Sequence, residues 1–132
     1  MPAIIEYYAP GDRLSFTVAA GQSVVGGNLV EFAAAGTIQP AGADSALCLG
    51  VAAYDGAAGD VVTVINDGVV SLLSAHGSTL APGTRIICAA AGAFKGANAT
   101  ATYAANDVNK QVGWTLASIV TATSGLVKLT LG

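Results

Sequence analysis

The spacing of glycine is the feature that most constrains what this chain can fold into. Seventeen glycines divide the 132 residues, and the segments between them are rich in valine, leucine, isoleucine and threonine. Turn residues that recur about every 8–12 residues between short β-prone segments are typical of sandwiches and barrels. Residues 14–18 also alternate apolar and polar side chains, as a half-buried strand does. The sequence therefore predicts an all-β fold, a small barrel or sandwich of short strands with little helix.

The individual strands can be predicted from the same pattern. They are expected over residues 14–18, 28–32, 47–53, 60–66, 69–74, 84–89, 111–117 and 126–131. Asn66-Asp67-Gly68 is a turn sequence and predicts a hairpin between the strands on either side of it. The glycine-rich residues 21–27 predict a β-turn only, because they lack the lysine and hydroxyl residue of a phosphate-binding loop. Residues 98–110 have no clean period and predict a long loop with room for one short helical turn.

A weak internal repeat runs through the chain. The matched segments are 27–36 with 83–92, 49–52 with 112–115, and 68–72 with 125–129. Their order is kept but their spacing drifts, and matches of this kind also arise by chance in a sequence rich in alanine and glycine. Both explanations stand at this point. A true duplication would imply two similar β units that close one barrel-like core.

Charged residues make up only 10% of the chain, against about 25% in an average soluble domain. Much of the exterior must then consist of small residues, a composition expected where a partner covers part of the surface, although small residues are tolerated on any surface. The net charge is −3 and the five basic residues are scattered, so no basic stripe suggests nucleic acid as a partner. No segment approaches the ~18 apolar residues of a membrane helix.

The length suits one domain that builds its own core. We expect a single β domain over residues 11–132, preceded by an N-terminal arm of residues 1–10. The first residues carry neither a basic region nor an apolar signal core, so we expect a protein that is made in the cytoplasm and not exported.

The reactive side chains do not converge on a catalytic or metal-binding pattern. His76 is the only histidine and has no i+2 or i+4 partner, so a histidine in a loop is expected rather than a zinc ligand or part of a triad. Each of four aspartates adjoins a glycine and is expected to stabilise a turn; they are Asp12, Asp55, Asp60 and Asp67. Two alternatives stand for Cys48 and Cys88: buried reduced thiols, or a disulfide if their strands are neighbours. The sequence predicts no enzyme, no metal and no cofactor.

The aromatic residues divide into two groups. Four lie in or beside predicted strands and are expected in the core; they are Phe16, Phe32, Phe94 and Trp114. Trp114 is also a candidate interface anchor. Tyr7 and Tyr8 belong to the arm, whose apolar residues 4–8 could add a strand to another chain's sheet edge or form an edge strand of their own fold.

Several segments taken in order resemble small capsid cement or decoration proteins of tailed bacteriophages. They are residues 10–18, 20–30, 49–52, 57–64, 82–84, 112–113 and 125–129. The resemblance spans nearly the whole chain and rests on the order of these segments, the length and the low charge, since no single motif is specific.

The resemblance implies a mostly β protein on the outside of a phage head, often a homotrimer, which binds the major capsid protein and stabilises the capsid lattice. It implies no catalytic residues. In such proteins the N-terminal segment commonly reaches onto the capsid. The resemblance therefore implies that the capsid-contact residues of this chain are Pro2, Ile4, Ile5, Tyr7 and Tyr8.

Two alternatives to a decoration protein remain. The first is another virion component with a β-barrel, such as part of a tail or spike. The second is a biotinyl or lipoyl carrier, which would need a lysine exposed at a hairpin tip. Lys95, in Phe94-Lys95-Gly96, is the nearest candidate for that lysine.

Overall fold

The computed structural model describes residues 13–97 and 110–131, which contain twelve β-strands and the short 3-10 helix Ala90–Gly92. The strands are β1 (Arg13–Val18), β2 (Ser23–Val24), β3 (Leu29–Ala34), β4 (Thr37–Pro40), β5 (Cys48–Ala52), β6 (Gly56–Ala57), β7 (Val61–Ile65), β8 (Asp67–Leu73), β9 (Arg85–Cys88), β10 (Phe94–Gly96), β11 (Gln111–Thr115) and β12 (Ser124–Thr130). The predicted all-β fold is confirmed. In the described residues, no helix is long and apolar enough to span a bilayer.

The first seven strands form a closed barrel and a small ribbon. The barrel has the order β1-β4-β3-β5-β7 and closes where β7 pairs with β1. The β1–β4 pair is parallel and the other neighbours are antiparallel. Strands β2 and β6 pair with each other beside the barrel. We call residues 13–65 the first unit.

The last five strands form a second sheet in the order β10-β9-β11-β12-β8. Its two edge strands approach each other at one parallel bridge, between Ser74, just after β8, and Phe94 of β10. An isolated antiparallel bridge also joins Leu80 to Ile119. We call residues 67–130 the second unit.

The second unit repeats the topology of the first. Strands β8, β10, β9, β11 and β12 take the places of β1, β4, β3, β5 and β7, and the bridge at Ser74 is parallel like the β1–β4 pair. The Leu80–Ile119 bridge takes the place of the β2–β6 ribbon. Of the two explanations that the sequence left open, a true duplication is therefore the one that the fold supports.

Backbone hydrogen bonds fix the residue equivalences between the units. The N–H of Gly27 donates to Ala52 O and the N–H of Gly83 donates to Thr115 O, each at 2.8 Å. Four further bonds match in the same way. Written as donor N–H to acceptor O, with the first unit before the second, they are Ala19 to Ile38 and Ala75 to Phe94, Ala41 to Leu29 and Ala97 to Arg85, Ala53 to Thr63 and Leu116 to Leu126, and Gly59 to Val18 and Ala122 to Ser74. Up to β4 a residue corresponds to the one 56 positions later, and from β5 onward to the one 63 positions later.

Two details of the predicted repeat are wrong. Residues 68–72 do not correspond to 125–129; they lie in β8 and β12, which pair side by side within one sheet. The two units also do not close one barrel together, because the strands of the first unit alone close it. The matches of 27–36 with 83–92 and of 49–52 with 112–115 are correct.

The predicted hairpin at Asn66-Asp67-Gly68 is wrong as well. Strand β7 pairs with β1 and β5, whereas β8 pairs with β12, so the chain crosses here from one sheet to the other. A tight two-residue connection, Ala35-Gly36, instead joins β3 to β4. Gly36 has φ +76° there, a left-handed conformation that favours glycine.

Eight predicted strands are present, and four short ones were not predicted: β2, β4, β6 and β10. The segment 21–27, predicted as a turn only, contains β2. The predicted loop 98–110 lies outside the described residues except for Lys110. The arm of residues 1–10 also lies outside them, and one β domain over residues 11–132 stays a prediction.

Within residues 13–97 and 110–131, the buried apolar side chains form two core clusters. One fills the barrel and is made of Val18, Val24, Val30, Ile38, Ala52, Val62 and Val64. The other fills the second unit and includes Leu72, Leu80, Ile86, Phe94, Ile119, Val127 and Leu129. Leu29, Ala41 and Val51 of the first unit belong to this second cluster, so apolar packing joins the two units.

Candidate binding surface

The outer face of the second sheet carries a patch of exposed apolar side chains. Cross-strand register places Ser71 of β8 opposite Leu126 of β12, and the N–H of Leu116 donates to Leu126 O. Side chains opposite each other point to the same face of a sheet. The exposed fractions are 55% for Val69, 45% for Leu73, 43% for Leu116 and 51% for Leu126. We call these four residues, with Trp114 and Lys128, the second-sheet face.

Trp114 lies on this face rather than in the core. It is opposite Lys128 on one side and Arg85 on the other, and the Arg85 guanidinium carbon lies 4.8 Å from the ring centroid of Trp114. A guanidinium stacked on an indole is a favourable cation–π arrangement. The prediction of a core Trp114 is wrong, whereas its role as an interface anchor stays a prediction.

The other core predictions have mixed outcomes. Phe94 is fully buried. Phe16 is half-buried and meets Phe32 edge to face, with centroids 5.6 Å apart. Phe32 is 36% exposed and belongs to neither core cluster, so its prediction as a core residue is wrong. A hydrophobic side chain in a short strand does not reveal which face of the sheet it occupies.

Sequence reasoning missed the apolar residues of the second-sheet face. The signal was present in residues 69–73, where Val69 and Leu73 point outward while Leu72 is buried. A half-buried strand should alternate apolar and polar residues, and this one is apolar on both faces. An exposed apolar face on an antiparallel sheet is a candidate surface for binding a partner.

One ion pair borders the face. Lys128 Nζ lies 2.8 Å from Asp67 Oδ1, which also accepts the N–H of Gly68 at 2.9 Å. The Lys128 ammonium and then the Gly68 N–H hold the pKa of Asp67 below its ordinary value. Asp67 therefore stabilises the crossing between the units, in agreement with its predicted turn role.

Two further aspartates also fulfil the predicted role. Asp55 Oδ1 accepts the N–H of Gly26 at 2.8 Å, and Asp60 Oδ2 accepts the N–H of Ala57 at 2.9 Å. Both carboxylates line a shallow open groove beside the β2–β6 ribbon. Asp12 lies outside the described residues.

His76 is a loop histidine, as predicted. Its Nδ1 accepts the N–H of Gly96 at 3.1 Å, and its own N–H donates to Ser74 Oγ at 3.2 Å. These bonds fasten the segment after β8 to strand β10. Among residues 13–97 and 110–131, no three histidine, cysteine or acidic side chains are grouped so that they could hold a metal ion.

Residues 41–48 of the first unit contact the second unit through polar groups. The N–H of Asp44 donates to Cys88 O at 3.0 Å, and Asp44 Oδ1 lies 3.1 Å from Lys95 Nζ. Lys95 is within β10, not at a hairpin tip, which disfavours the carrier alternative. Glu31 fixes the start of the segment, because its carboxylate accepts the N–H of Gly42 at 2.9 Å. Burial would raise the pKa of Glu31, but hydrogen bonds from Gly42 and neighbouring side chains hold it below its ordinary value.

The two cysteines meet across this contact as free thiols. Cys88 is buried and Cys48 is half-buried. Hydrogen bonding to the Cys88 thiol and burial together raise the pKa of Cys48. Strands β5 and β9 belong to different sheets, so the thiols approach through packing of the units and not through strand pairing.

A family model described as phage cement protein matches residues 8–130. No similar sequence was found among curated proteins. The crystal structure of the head fiber gp8.5 N base in bacteriophage phi29 matches with a TM-score of 0.65 and 15% sequence identity, covering 91% of this chain and 96% of that chain. At this identity the likeness shows the fold.

Proposed function

Because the chain belongs to the phage cement protein family, a family of capsid-associated structural proteins, we propose that it binds the outer surface of a phage head and stabilises the lattice of the major capsid protein. A ligand that binds the assembled lattice and not its free subunits stabilises the assembly by mass action. This role needs no catalytic residue, metal or cofactor.

The observation that carries the proposal is the second-sheet face. Four large apolar side chains, on β8, on β12 and directly after β11, share this face and are roughly half exposed. Trp114, Arg85 and Lys128 border them. Apolar residues with an aromatic and an arginine are the composition typical of the centre of a protein interface. We therefore propose the second-sheet face as the capsid-binding surface, with Trp114 as an anchor.

The test is co-sedimentation of the purified chain with expanded, undecorated phage heads. Leu126→Glu places a charge at the centre of the face, and we expect it to weaken head binding by about tenfold or more, the loss typical of an interface hot spot. Val61→Glu is the matched control, because Val61 is 60% exposed on β7 of the first unit. Unchanged binding of Leu126→Glu would exclude this face, and no binding of the unaltered chain to any head would exclude the proposal.

Four finer points follow from the family resemblance and are part of the proposal. The protein is made in the host cytoplasm, occupies the capsid exterior and is a homotrimer there. The arm adds a contact through Pro2, Ile4, Ile5, Tyr7 and Tyr8, so deletion of residues 2–8 should weaken head binding. Image reconstruction of native particles tests the exterior location, the homotrimer and the arm contact, and density at a tail or spike instead of the head surface would favour the alternative virion role.

A further inference from the structure

The two cysteines of the chain lie on opposite sides of the contact between the units. Cys48 begins β5 of the first unit and Cys88 ends β9 of the second, and the sequence contains no other cysteine. Cys88 is fully buried in the cluster that joins the units, and Cys48 packs against that cluster. The thiol of Cys48 is hydrogen-bonded to that of Cys88. Each unit therefore contributes one sulfur to a single apolar contact.

Hydrogen bonds and an ion pair fix the main chain on both sides of the thiols. The N–H of Asp44 donates to Cys88 O at 3.0 Å. The N–H of Gly92 donates to Ala41 O, also at 3.0 Å, and Asp44 Oδ1 lies 3.1 Å from Lys95 Nζ. These contacts hold the segment that leads into β5 against β9 and the residues after it. The thiols are therefore held together by the fold of the whole contact and not by their own hydrogen bond alone.

Two thiols held in contact have a high effective concentration with respect to each other. That concentration favours a disulfide between them over mixed disulfides with small thiols, because the second exchange step is intramolecular. Sulfurs in hydrogen-bonding contact must still approach to a bond length of about 2.05 Å, which requires rotation of the two side chains. The arrangement of Cys48 and Cys88 is therefore suited to oxidation within one folded chain.

We propose that Cys48 and Cys88 form a disulfide between the two units when the folded chain meets a small-molecule disulfide such as oxidised glutathione. Cys48, the less buried of the two, releases its proton to solvent and attacks the S–S bond of the reagent, and the glutathione thiolate that leaves takes up a proton. The sulfur of Cys88 then loses its proton and displaces the second glutathione from Cys48. The two cysteines are oxidised and lose two hydrogen atoms, and the reagent is reduced to two thiols.

The disulfide gives the chain two redox states that differ in stability. It closes the loop from Cys48 to Cys88, which includes the crossing between the units at Asp67. Closing this loop restricts the unfolded chain more than the folded one, so the oxidised form is the more stable. Thiols persist in a reducing cytoplasm and disulfides persist outside the cell. The bond therefore strengthens the joint between the units once the protein is outside the cell.

The proposal goes beyond capsid binding and is tested without heads, on the purified full chain incubated with oxidised glutathione. Because hydrogen bonding to Cys88 and burial raise the pKa of Cys48, its attacking thiolate is scarce at neutral pH, so the incubation is long and mildly alkaline. Free thiols are then blocked, and the denatured chain is digested with trypsin, which cleaves between the cysteines at Arg85. By mass spectrometry we expect an intact monomer lighter by two hydrogen atoms, peptides 14–85 and 86–95 joined in the unreduced digest, and reversal by dithiothreitol.

Cys48→Ala and Cys88→Ala are the matched control variants, because each leaves one thiol without its partner. The oxidised unaltered chain should unfold at a higher urea concentration than its reduced form, and neither variant should lose two hydrogen atoms or show this gain. The same incubation in denaturing urea, where both thiols are accessible, verifies that the reagent is active. Thiols of the folded chain that stay free, carry glutathione without bonding to each other or bond only between copies would overturn the proposal, and so would a urea midpoint that falls on oxidation, whatever the outcome with heads.

Discussion

The two units have one topology, but the first unit closes a complete barrel while the second leaves its edge strands joined at a single bridge. Many of their backbone hydrogen bonds occur at equivalent positions. Their side chains have diverged, most clearly where Leu29 and Val51 are buried between the units while the equivalent Arg85 and Trp114 lie at the surface. Backbone pairing therefore defines the repeat, and the side chains decide which surface faces the other unit and which faces outward.

The cores of the two units also differ at equivalent positions. Gly56 of the first unit and Ile119 of the second are equivalent, and so are Val62 and Gly125. A Cβ on Gly56 would overlap with Val62, and a Cβ on Gly125 would overlap with Ile119. Each unit thus pairs one large residue with one glycine, in opposite order, and fills the same space from opposite sides.

Among the variants that compare the two units, substitution of Gly50 or Gly113 by alanine should cause the largest loss in the free energy of unfolding. These glycines are equivalent, and an added Cβ would overlap with the backbone carbonyl oxygen of Ile65 in the first case and of Lys128 in the second. Backbone cannot yield as a flexible side chain can, so we expect each variant to lose about 3 kcal/mol or more in the free energy of unfolding. Urea unfolding measures the loss.

Gly77→Ala is the control for both variants, because Gly77 has no atom within 4 Å of an added Cβ, and it should be within about 0.5 kcal/mol of the unaltered chain. A large loss at one of the two equivalent glycines but not at the other would show that the units tolerate strain differently.

Truncation to alanine at the equivalent residues Leu29 and Arg85 should have the next largest effect on stability. The two losses should differ, because the two residues differ in burial. Leu29→Ala removes a fully buried side chain from the cluster that joins them, and we expect a loss of about 3 kcal/mol. Arg85→Ala removes an exposed side chain stacked on Trp114, and we expect a loss of no more than about 1 kcal/mol. Thermal and urea unfolding of both variants measure the two losses in the free energy of unfolding. Similar losses would contradict the expectation that the buried residue contributes more than the exposed one.

The strands could be predicted from local pattern, but their partners could not. Glycine spacing and apolar segments mark β3, β5, β9 and β11, because turns and side-chain alternation are local properties. Asn66-Asp67-Gly68 misled for the same reason, since its turn preference says nothing of the sheet that the chain enters next. Barrel closure depends on β1 meeting β4 and β7, contacts between residues distant in sequence.

Two sequence features pointed to the candidate surface, Trp114 and the apolar residues on both faces of segment 69–73. The large amphipathic side chain of Trp114 suggests an anchor, but the choice between core and surface depends on register, which places it opposite Lys128. The apolar patch around it includes Leu116, which follows β11, and Leu126 of β12. Two elements separated by a loop form one surface only after folding, so a sequence pattern within either element could not show it.

The smallest expected effect is the coupling energy between Gly125 and Ile119, which a double-mutant cycle measures. Gly125→Ala places a Cβ against Ile119, which should cost about 2 kcal/mol, and Ile119→Ala removes a buried side chain, which should cost about 3 kcal/mol. In the double variant the new Cβ occupies space that the isoleucine has left, as Val62 does beside Gly56 in the first unit. We therefore expect the combined loss, measured by urea unfolding, to be smaller than the sum by about 1 kcal/mol. The losses of Ile119→Ala and Gly77→Ala should add, because an added Cβ on Gly77 meets no atom within 4 Å. Strictly additive losses at Gly125 and Ile119 would mean that the two residues do not share one space.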